Sequence, residues 1–465
     1  KRSHGYIALF WSYPVLTLIF LALVQTLLFI DRGAIAAVLH NAAINWRLSS
    51  SEQGIISSAF TVGFMLSSPV WAHYAMRNKI NKVIALSLLI FSISEICSGL
   101  FSYFWKGPSN KLGYYLFVIS RLFVGVGESA IIALGYGIVD DISPTKHKTT
   151  YMAVLVFSGA VGVALGYGLT GALLSITTKW QVVFFAIGGF VLVCTIICHF
   201  IPMHGYEQHQ TIQDDNEKSS INVEGETQPI TKKKTVKPHT MFSAIMPLAK
   251  NPVYLCMVGY SILSGGIICM LAFWSPTFIF QRLKRFDLTD KYCTLISNIG
   301  FGLIILTSSV FGSTMGAIVV SKTGGTEGWK GIGRALLWSM FFLILALPFM
   351  YCAFIFEEIH WGILLTLFFF GTFFLMAPSS PFQVAMNNSV EHDLRHFANS
   401  YQIFLVQGLG DMLSPFLFGI VSDNLNIKWA MIILWSFLVP AIVFLFVGGF
   451  IALFYHRRQN KEIII

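Results

Sequence analysis

Residues 16–39 read LTLIFLALVQTLLFIDRGAIAAVL, an apolar run that carries an acid and a base side by side. As a helix, this run is long enough to cross the ~30 Å hydrocarbon core of a bilayer. A charged side chain at mid-bilayer costs at least ~2.5–3.5 kcal/mol on insertion scales, so such residues usually pair, face a water-filled cavity and mark a pathway. We therefore interpret Asp31 and Arg32 as functional. The alternative is that they only neutralise local charge and lock neighbouring helices together.

A second charged pair lies in the apolar run 112–139, where Arg121 and Glu128 are seven residues apart. Seven residues are about two helical turns, so both side chains should project from one face, roughly 10 Å apart along the axis. Counting ~1.5 Å per residue from the helix ends places Asp31 and Arg121 at similar depth, so these two can pair. Glu128 should lie about 10 Å deeper, with no partner evident from the sequence. Either acid is a candidate proton carrier.

Composition decides the class of protein. Of 465 residues, 55% are hydrophobic and 11% charged, and the mean hydropathy is +0.69, which is far too apolar for a soluble domain. The formal charge of +9 could suggest a nucleic-acid partner. We exclude one, because the basic residues occupy short loops between apolar runs rather than one exposed face. The chain is predicted to be an all-α, multi-pass membrane protein embedded in the lipid bilayer.

Apolar runs long enough to span the hydrocarbon core recur twelve times. They lie at 14–39, 53–75, 83–104, 112–139, 148–176, 180–201, 252–280, 293–320, 334–356, 360–386, 398–422 and 428–454. An even count places both termini on one side, where 20 of the Lys and Arg residues fall, against 9 on the other side. By the positive-inside rule the termini are then cytosolic.

The order of these runs predicts the domain organisation. Residues 1–202 should form an N-terminal six-helix bundle, and residues 246–465 a C-terminal six-helix bundle with a short cytosolic tail. The segment 203–245 between them is polar and poor in aromatic residues, so we expect a flexible cytosolic linker. Two facing bundles are typical of transporters that bind their solute near the midplane and work by alternating access.

Two further acids lie inside apolar runs. Glu95 is either a cavity group or a structural acid bonded to Ser94 or Ser98, because no basic residue accompanies it. For Asp411, the mid-helix charge of the second half, functional and structural interpretations are equally supported.

The sequence gives little support for an enzymatic function. His392 and His396 have metal-ligand spacing but no third ligand nearby. There is no GxxxxGK[ST] loop to hold a nucleotide phosphate, so transport should draw on a gradient. We expect no enzymatic activity, no cofactor and no metal, and we expect a monomer.

Five ordered blocks resemble the Spinster family of the Major Facilitator Superfamily. They are FIDRGAIAAVL at 29–39, SRLFVGVGESA at 120–130, GAVGVALGYGLTG at 159–171, NPVYLCMVGYSILSGG with FWSPTFIF within 251–280, and GLGDMLSPFLFGIVSD at 408–423. The resemblance implies the superfamily fold, with twelve helices, and transport of lysophospholipids or sphingoid phosphates along with or against protons.

Carried over by position, the resemblance assigns proton coupling and gating to Asp31, Arg32, Arg121 and Glu128. The chain also departs from the family pattern. Met76 stands where the superfamily carries an acid between its second and third helices, and Thr372 stands where the family carries an acid in the tenth.

The sequence thus predicts a proton-coupled secondary active transporter, a symporter that moves a lysophospholipid or similar amphipathic solute. We expect substrate contacts from Phe157, Tyr260, Ser264, Trp274 and Asp411. The alternatives are a transporter of another small organic solute or weak-base drug, and a non-transporting membrane receptor on a transporter scaffold. The membrane could be that of a lysosome-like or other internal compartment, or the plasma membrane.

Overall fold

The computed structural model describes residues 3–75, 77–107, 111–143, 148–177, 179–198, 200–201, 241–286, 288–356, 360–391 and 394–464. Met76, His392 and residues 203–240 of the predicted linker lie outside this set. The end of that linker falls within a short helix, Met241–Ala249.

Every regular element in the described part of the chain is a helix. The helices of the first half are α1 (Ser3–Trp46), α2 (Ser50–Ala75), α3 (Ile80–Phe104), α4 (Lys111–Ile142), α5 (Lys148–Ile176) and α6 (Val182–Cys198). Those of the second half are α7 (Pro252–Leu283), α8 (Asp290–Lys322), α9 (Gly328–Ile355), α10 (Trp361–Asn388), α11 (Phe397–Asn424) and α12 (Ile427–Arg458).

The length and hydropathy of these helices fit a membrane-spanning bundle. Eleven of them are long and apolar enough to cross a bilayer. The twelfth, α6, has 17 residues, which is the lower end of the ~17–25 residues that a spanning helix needs. The twelve spans predicted from the sequence are therefore confirmed, and the all-α fold class with them.

Close helix packing fixes the position of the charged turn of α1. In the first half α1 packs along α5, α2 along α4, and α3 between α4 and α6. At the α1–α5 contact a Cβ atom on Gly33 would collide with the carbonyl oxygen of Val163, and one on Gly166 with that of Ile30. Glycine at both positions lets the two backbones touch, which holds Asp31 and Arg32 at a fixed height.

The two halves are joined by a shared apolar core at the end of the bundle opposite the chain termini. A first core lies wholly within the first half of the chain. A second runs through α7–α12 and continues into the first half at Trp46, Phe117 and Trp180, near the ends of α1, α4 and α6 that face away from the termini. The halves are therefore packed together on that side.

Three π-helical turns interrupt helices of the second half. Two lie in α8, at Ile296–Gly300 and Ser308–Gly312, and one lies in α11, at Val406–Asp411. Such turns re-aim side chains and are frequent at functional sites. The turn in α11 ends on the mid-helix acid of the second half.

Candidate transport cavity and its buried charges

A central cavity of about 390 Å³ lies between the two halves. Its wall is mostly apolar, with residues of α1, α2, α4, α5, α7, α8, α10 and α11. The apolar members include Phe29, Ile35, Ile56, Phe60, Val163, Ile268, Phe273, Ile305, Met376 and Val406. The polar members include Arg32, Ser57, Thr61, Tyr167, Ser309, Gln407 and Asp411. This is a cavity for a solute that is largely apolar and carries a polar group.

On the cavity wall, Arg121 of α4 binds two acids at once. Its Nη1 donates to Oδ1 of Asp31 and to Oε1 of Glu95, each at 2.9 Å, and its Nη2 donates to Oδ2 of Asp31. All three side chains are buried. The Asp31–Arg121 pair expected from helix depth is therefore present, in the bidentate form that suits a guanidinium group.

The expectation for Glu95 is wrong in one respect. Its partner is Arg121 rather than Ser94 or Ser98, whose hydroxyl groups donate to the carbonyl oxygens of Ile90 and Ser94. The basic residue comes from α4, which packs along α3, and so no inspection of the Glu95 helix alone could have revealed it.

Glu128 also has a partner that its own helix does not supply. Arg32 donates from Nε to Oε1 of Glu128 at 2.8 Å, and its Nη2 lies 2.6 Å from the same oxygen. The guanidinium carbon of Arg32 stands 4.5 Å from the ring centroid of Phe29 and 5.2 Å from that of Phe60. The Arg32 side chain is 32% exposed, whereas that of Glu128 is fully buried. Arg32 thus connects the buried acid with the cavity.

These five residues, Asp31, Arg32, Glu95, Arg121 and Glu128, form what we call the charge cluster. It contains three carboxyl groups and two guanidinium groups. The second carboxyl oxygens of Glu95 and Glu128 are buried without a hydrogen-bond partner among the described residues. If every member were ionised, the cluster would carry one uncompensated negative charge in a medium of low dielectric constant.

Asp411 lines the cavity on the wall that the second half contributes, within electrostatic reach of Arg32. Within the described residues its carboxylate makes no hydrogen bond and no ion pair. The sulfhydryl group of Cys269 donates to the backbone carbonyl oxygen of Asp411, at 3.5 Å, and not to its carboxylate. The cavity therefore holds a paired cation on one side and an unpaired acid on the other.

The other four residues expected at the substrate do not lie in the cavity wall. Tyr260 is buried with its ring 4.7 Å from that of Phe382. Ser264 donates to the carbonyl oxygen of Ser261. Trp274 is buried, and its indole nitrogen donates to the carbonyl oxygen of Pro415 at 3.3 Å.

Phe157 is exposed on α5, outside the lining. The aromatic residues that do line the cavity are Phe29, Phe60, Tyr167 and Phe273. Sequence reasoning missed them, although Phe29 stands one helical turn before Arg32 and could have been found from that spacing.

The cavity is closed on the side away from the termini. The carboxylate of Asp423, at the end of α11, accepts hydrogen bonds from the backbone nitrogens of Ser50 and Ser51 at 2.6 and 2.8 Å. An acid of one half thereby caps the first turn of α2 in the other half, where the helix dipole favours negative charge. The Tyr167 hydroxyl donates to the carbonyl oxygen of Ala272 between the same halves.

The sequence model of the family described as the Major Facilitator Superfamily matches residues 21–415 of the chain. The chain belongs to the Major Facilitator Superfamily. It is therefore an integral, multi-pass membrane transporter rather than an enzyme.

Curated relatives agree with the motif blocks. A protein of Arabidopsis thaliana described as a probable sphingolipid transporter, spinster homolog 3, is 25% identical over 474 residues, which cover 94% of this transporter and 84% of the relative. Human protein spinster homolog 1 is 22% identical, with 88% and 73% covered. The predicted resemblance to the Spinster family is confirmed.

Solved structures share the fold. A bacterial homolog of the human lysosomal transporter Spinster, in an inward-facing and unoccupied conformation, superposes with a TM-score of 0.73 at 17% identity, covering 94% of this transporter and 97% of that chain. A D-xylose–proton symporter superposes with a TM-score of 0.69 at 15% identity, with 93% and 97% covered. At these identities the likeness concerns the fold alone, with its two six-helix bundles.

Proposed function

We propose that this transporter moves a lysophospholipid or a similar amphipathic solute in symport with protons. The observation that carries the proposal is the charge cluster, in which three carboxyl groups share two guanidinium groups at the edge of an apolar cavity. Buried ionisable residues in a membrane bundle are costly, and a pathway for protons or ions is the usual reason for their presence.

The imbalance of the charge cluster supports proton binding. A buried carboxylate without a counter-charge is far less stable than the neutral acid, so one of the three acids should carry a proton in this conformation. Asp31 receives both amino groups of Arg121, whereas Glu95 receives a single hydrogen bond. We therefore assign the resting proton to Glu95.

Coupling to substrate runs through Arg32. It is the exposed member of the charge cluster, and its guanidinium group is bound to Glu128. An anionic group of the solute that binds Arg32 competes with Glu128 for the same donors. The released Glu128 then binds a proton, and solute and proton occupy the transporter together.

The amphipathic character of the solute follows from the cavity wall. Its long apolar surfaces suit an acyl or alkyl chain, and the polar residues suit a head group. The description of the Arabidopsis thaliana relative as a probable sphingolipid transporter supports the same class of solute.

Alternating access requires two bodies that move against each other. We propose residues 1–202 and 246–465 as these bodies, joined by a cytosolic linker, with both termini in the cytosol as the Lys and Arg distribution indicates. In this arrangement the contact between Asp423 and the start of α2 closes the non-cytosolic side. The transporter acts as a monomer, in a lysosome-like, other internal or plasma membrane.

Flux into proteoliposomes tests the proposal. Purified transporter should take up a lysophospholipid faster when a pH gradient is imposed, and Asp31→Asn and Glu128→Gln should each remove that stimulation. Glu52→Gln is the matched control, because Glu52 is a partly exposed acid that pairs with Lys111 outside the cavity. Uptake of amino acids or weak-base drugs but not of lysolipids would refute the proposal that the solute is a lysophospholipid or a similar amphipathic molecule. Lysolipid binding without flux would point to a receptor, and proton-stimulated flux in both variants would refute the coupling role.

A further inference from the structure

A second, much smaller cavity lies farther from the chain termini than the central cavity, and we call it the outer pocket. Helices α1, α7 and α8 line both spaces. The outer pocket is lined by residues within 36–41, 276–280 and 294–298, and the central cavity by residues within 29–35, 265–273 and 305–309. Because α1 and α7 run away from the side of the termini and α8 runs back towards it, the outer pocket continues the central cavity along all three helices.

The outer pocket is polar although it is almost closed. Its volume of about 10 Å³ has room for about one water molecule. Six of its ten lining residues are polar, namely His40, Asn41, Thr277, Thr294, Ser297 and Asn298. Oγ1 of Thr277 and Oδ1 of Asn298 are buried without a hydrogen-bond partner among the described residues. Such atoms are costly in a dry interface, so they fit an interface that takes up water in another state of the transporter.

Tyr167 of α5 lies at the level between the two spaces. It lines the central cavity and is fully buried, and its ring packs edge-on against that of Phe301, with 5.4 Å between the centroids. Close contacts fix α5 against α8 at this level. A Cβ atom on Gly302 would lie 3.1 Å from Cβ of Tyr167, and one on Gly171 would lie 2.6 Å from Cβ of Asn298. The tyrosine is therefore held between helices of the opposite half.

A proline creates the acceptor that Tyr167 uses. In a regular helix the carbonyl oxygen of Ala272 would accept a hydrogen bond from the backbone nitrogen four residues later, but that residue is Pro276, which has no N–H group. The Tyr167 hydroxyl donates to this free oxygen instead. Ala272 lines the central cavity and Pro276 lines the outer pocket. The bond thus joins the two halves at the boundary between the two spaces.

We propose that Tyr167 is a gate residue that closes the solute path between the central cavity and the outer pocket. This inference rests on the alternating access of the proposed function. While the hydroxyl group binds Ala272, α5 is tied to α7 at Pro276 and the tyrosine ring ends the central cavity. When this bond breaks, α7 moves away from α5, the two spaces join, and the polar residues of the outer pocket become hydrated. The solute then passes between α1, α7 and α8.

Distances between spin labels test the gate. The labels are placed at Ile44 of α1 and Tyr292 of α8, both exposed at the ends away from the termini, in a full-length chain whose seven cysteines have been replaced. Tyr167→Phe keeps the ring and removes the hydroxyl group, so the ratio of the long-distance to the short-distance population should rise about two- to tenfold, as expected for one hydrogen bond. Tyr254→Phe is the matched control, because the Tyr254 hydroxyl donates to the carbonyl oxygen of Ala398 within the second half. It should leave the ratio unchanged.

Two further variants test the proline and the outer pocket. Pro276→Ala supplies the missing backbone N–H group, so in that background Tyr167→Phe should change the population ratio less than it does in the native chain. In the cysteine-free chain, Thr277→Cys places a thiol group in the outer pocket. A water-soluble maleimide should modify this thiol faster when Tyr167→Phe is also present.

An unchanged population ratio in Tyr167→Phe, or an equal change in Tyr254→Phe, would overturn the inference. An equal effect of Tyr167→Phe with and without Pro276→Ala would refute the part assigned to the proline, and equal rates of thiol modification would refute the path through the outer pocket. These measurements use neither a lysolipid nor a pH gradient. They therefore separate the gate from the proposed solute and from the proposed coupling to protons.

Discussion

The shared guanidinium group of Arg121 leads to a prediction about stability that neither acid alone would reveal. In Asp31→Asn, Arg121 keeps its hydrogen bond with Glu95, and ionised Glu95 can compensate the positive charge of Arg121. In Glu95→Gln, Arg121 keeps the bidentate contact with Asp31. In the double variant the buried guanidinium group has no acidic partner at all.

The contacts of Arg121 determine the expected loss of stability in each variant. Hydrogen bonds to charged groups contribute about 1.5–3 kcal/mol each, and Asn still accepts one of the two bonds made to Asp31, so Asp31→Asn should cost about 2 kcal/mol. Glu95→Gln keeps the shape and the single accepted bond of a protonated glutamic acid, so it should cost about 1 kcal/mol or less. Leaving a buried charge unpartnered costs about 3–5 kcal/mol, against about 3 kcal/mol for the two single variants together, so the double variant should lose about 1 kcal/mol more than their sum.

The assay is reversible unfolding in mixed micelles of dodecyl maltoside and sodium dodecyl sulfate, followed by tryptophan fluorescence, for the native protein, both single variants and the double variant. Glu52→Gln is the control and should change the free energy of unfolding by less than about 1 kcal/mol, because its ion pair is partly exposed. Additivity of the two single changes within about 0.5 kcal/mol would refute the view that Arg121 is shared between them.

Two further predictions concern the gate and the helix packing. Asp423→Ala removes the acceptor for Ser50 and Ser51, a capping interaction of about 0.5–2 kcal/mol, so it should shift the population towards the state that is open on that side. Spin labels at Ile44 and Leu425, both exposed, would measure this as a longer distance, and Asn424→Ala is the control, because the Asn424 side chain donates to the carbonyl oxygen of Ile420 within α11. An unchanged distance distribution would contradict the role of Asp423 in closing that side. Gly166→Ala should lower the melting temperature, because its new Cβ atom collides with the Ile30 carbonyl oxygen, whereas Gly168→Ala in the same helix meets no atom within 4 Å and should not. Equal melting temperatures would show that α1 and α5 can separate at little cost.

Much of the fold follows from local properties of the sequence. Apolar runs of sufficient length predict the spans, and the fixed rise of a helix predicts that Asp31 and Arg121 reach the same depth. These two arguments need no knowledge of the neighbours of each helix. That is why the twelve spans and this ion pair agree with the structure.

The remaining contacts depend on how each helix is rotated, which the sequence does not show here. Membrane helices are apolar towards lipid as well as towards the protein, so the pattern of α7 does not reveal whether Tyr260 and Trp274 face the cavity or the core. They face the core, and Phe273 lines the cavity instead. The partners of Glu95 and Glu128 were missed for a similar reason, because each arginine comes from another helix.

The central claim is that the buried acids exchange protons as the solute moves. Its most direct test is the reverse of a pH-driven uptake assay, in which a solute gradient drives protons. Proteoliposomes that contain a pH-sensitive dye start at equal pH on both sides, and a lysophospholipid is added to the outside. When the lysophospholipid flows inward, the native transporter and Glu52→Gln should lower the internal pH, because protons enter with the solute. Glu128→Gln should leave the internal pH unchanged. Lysolipid flux through the native transporter with no change of internal pH would contradict the account.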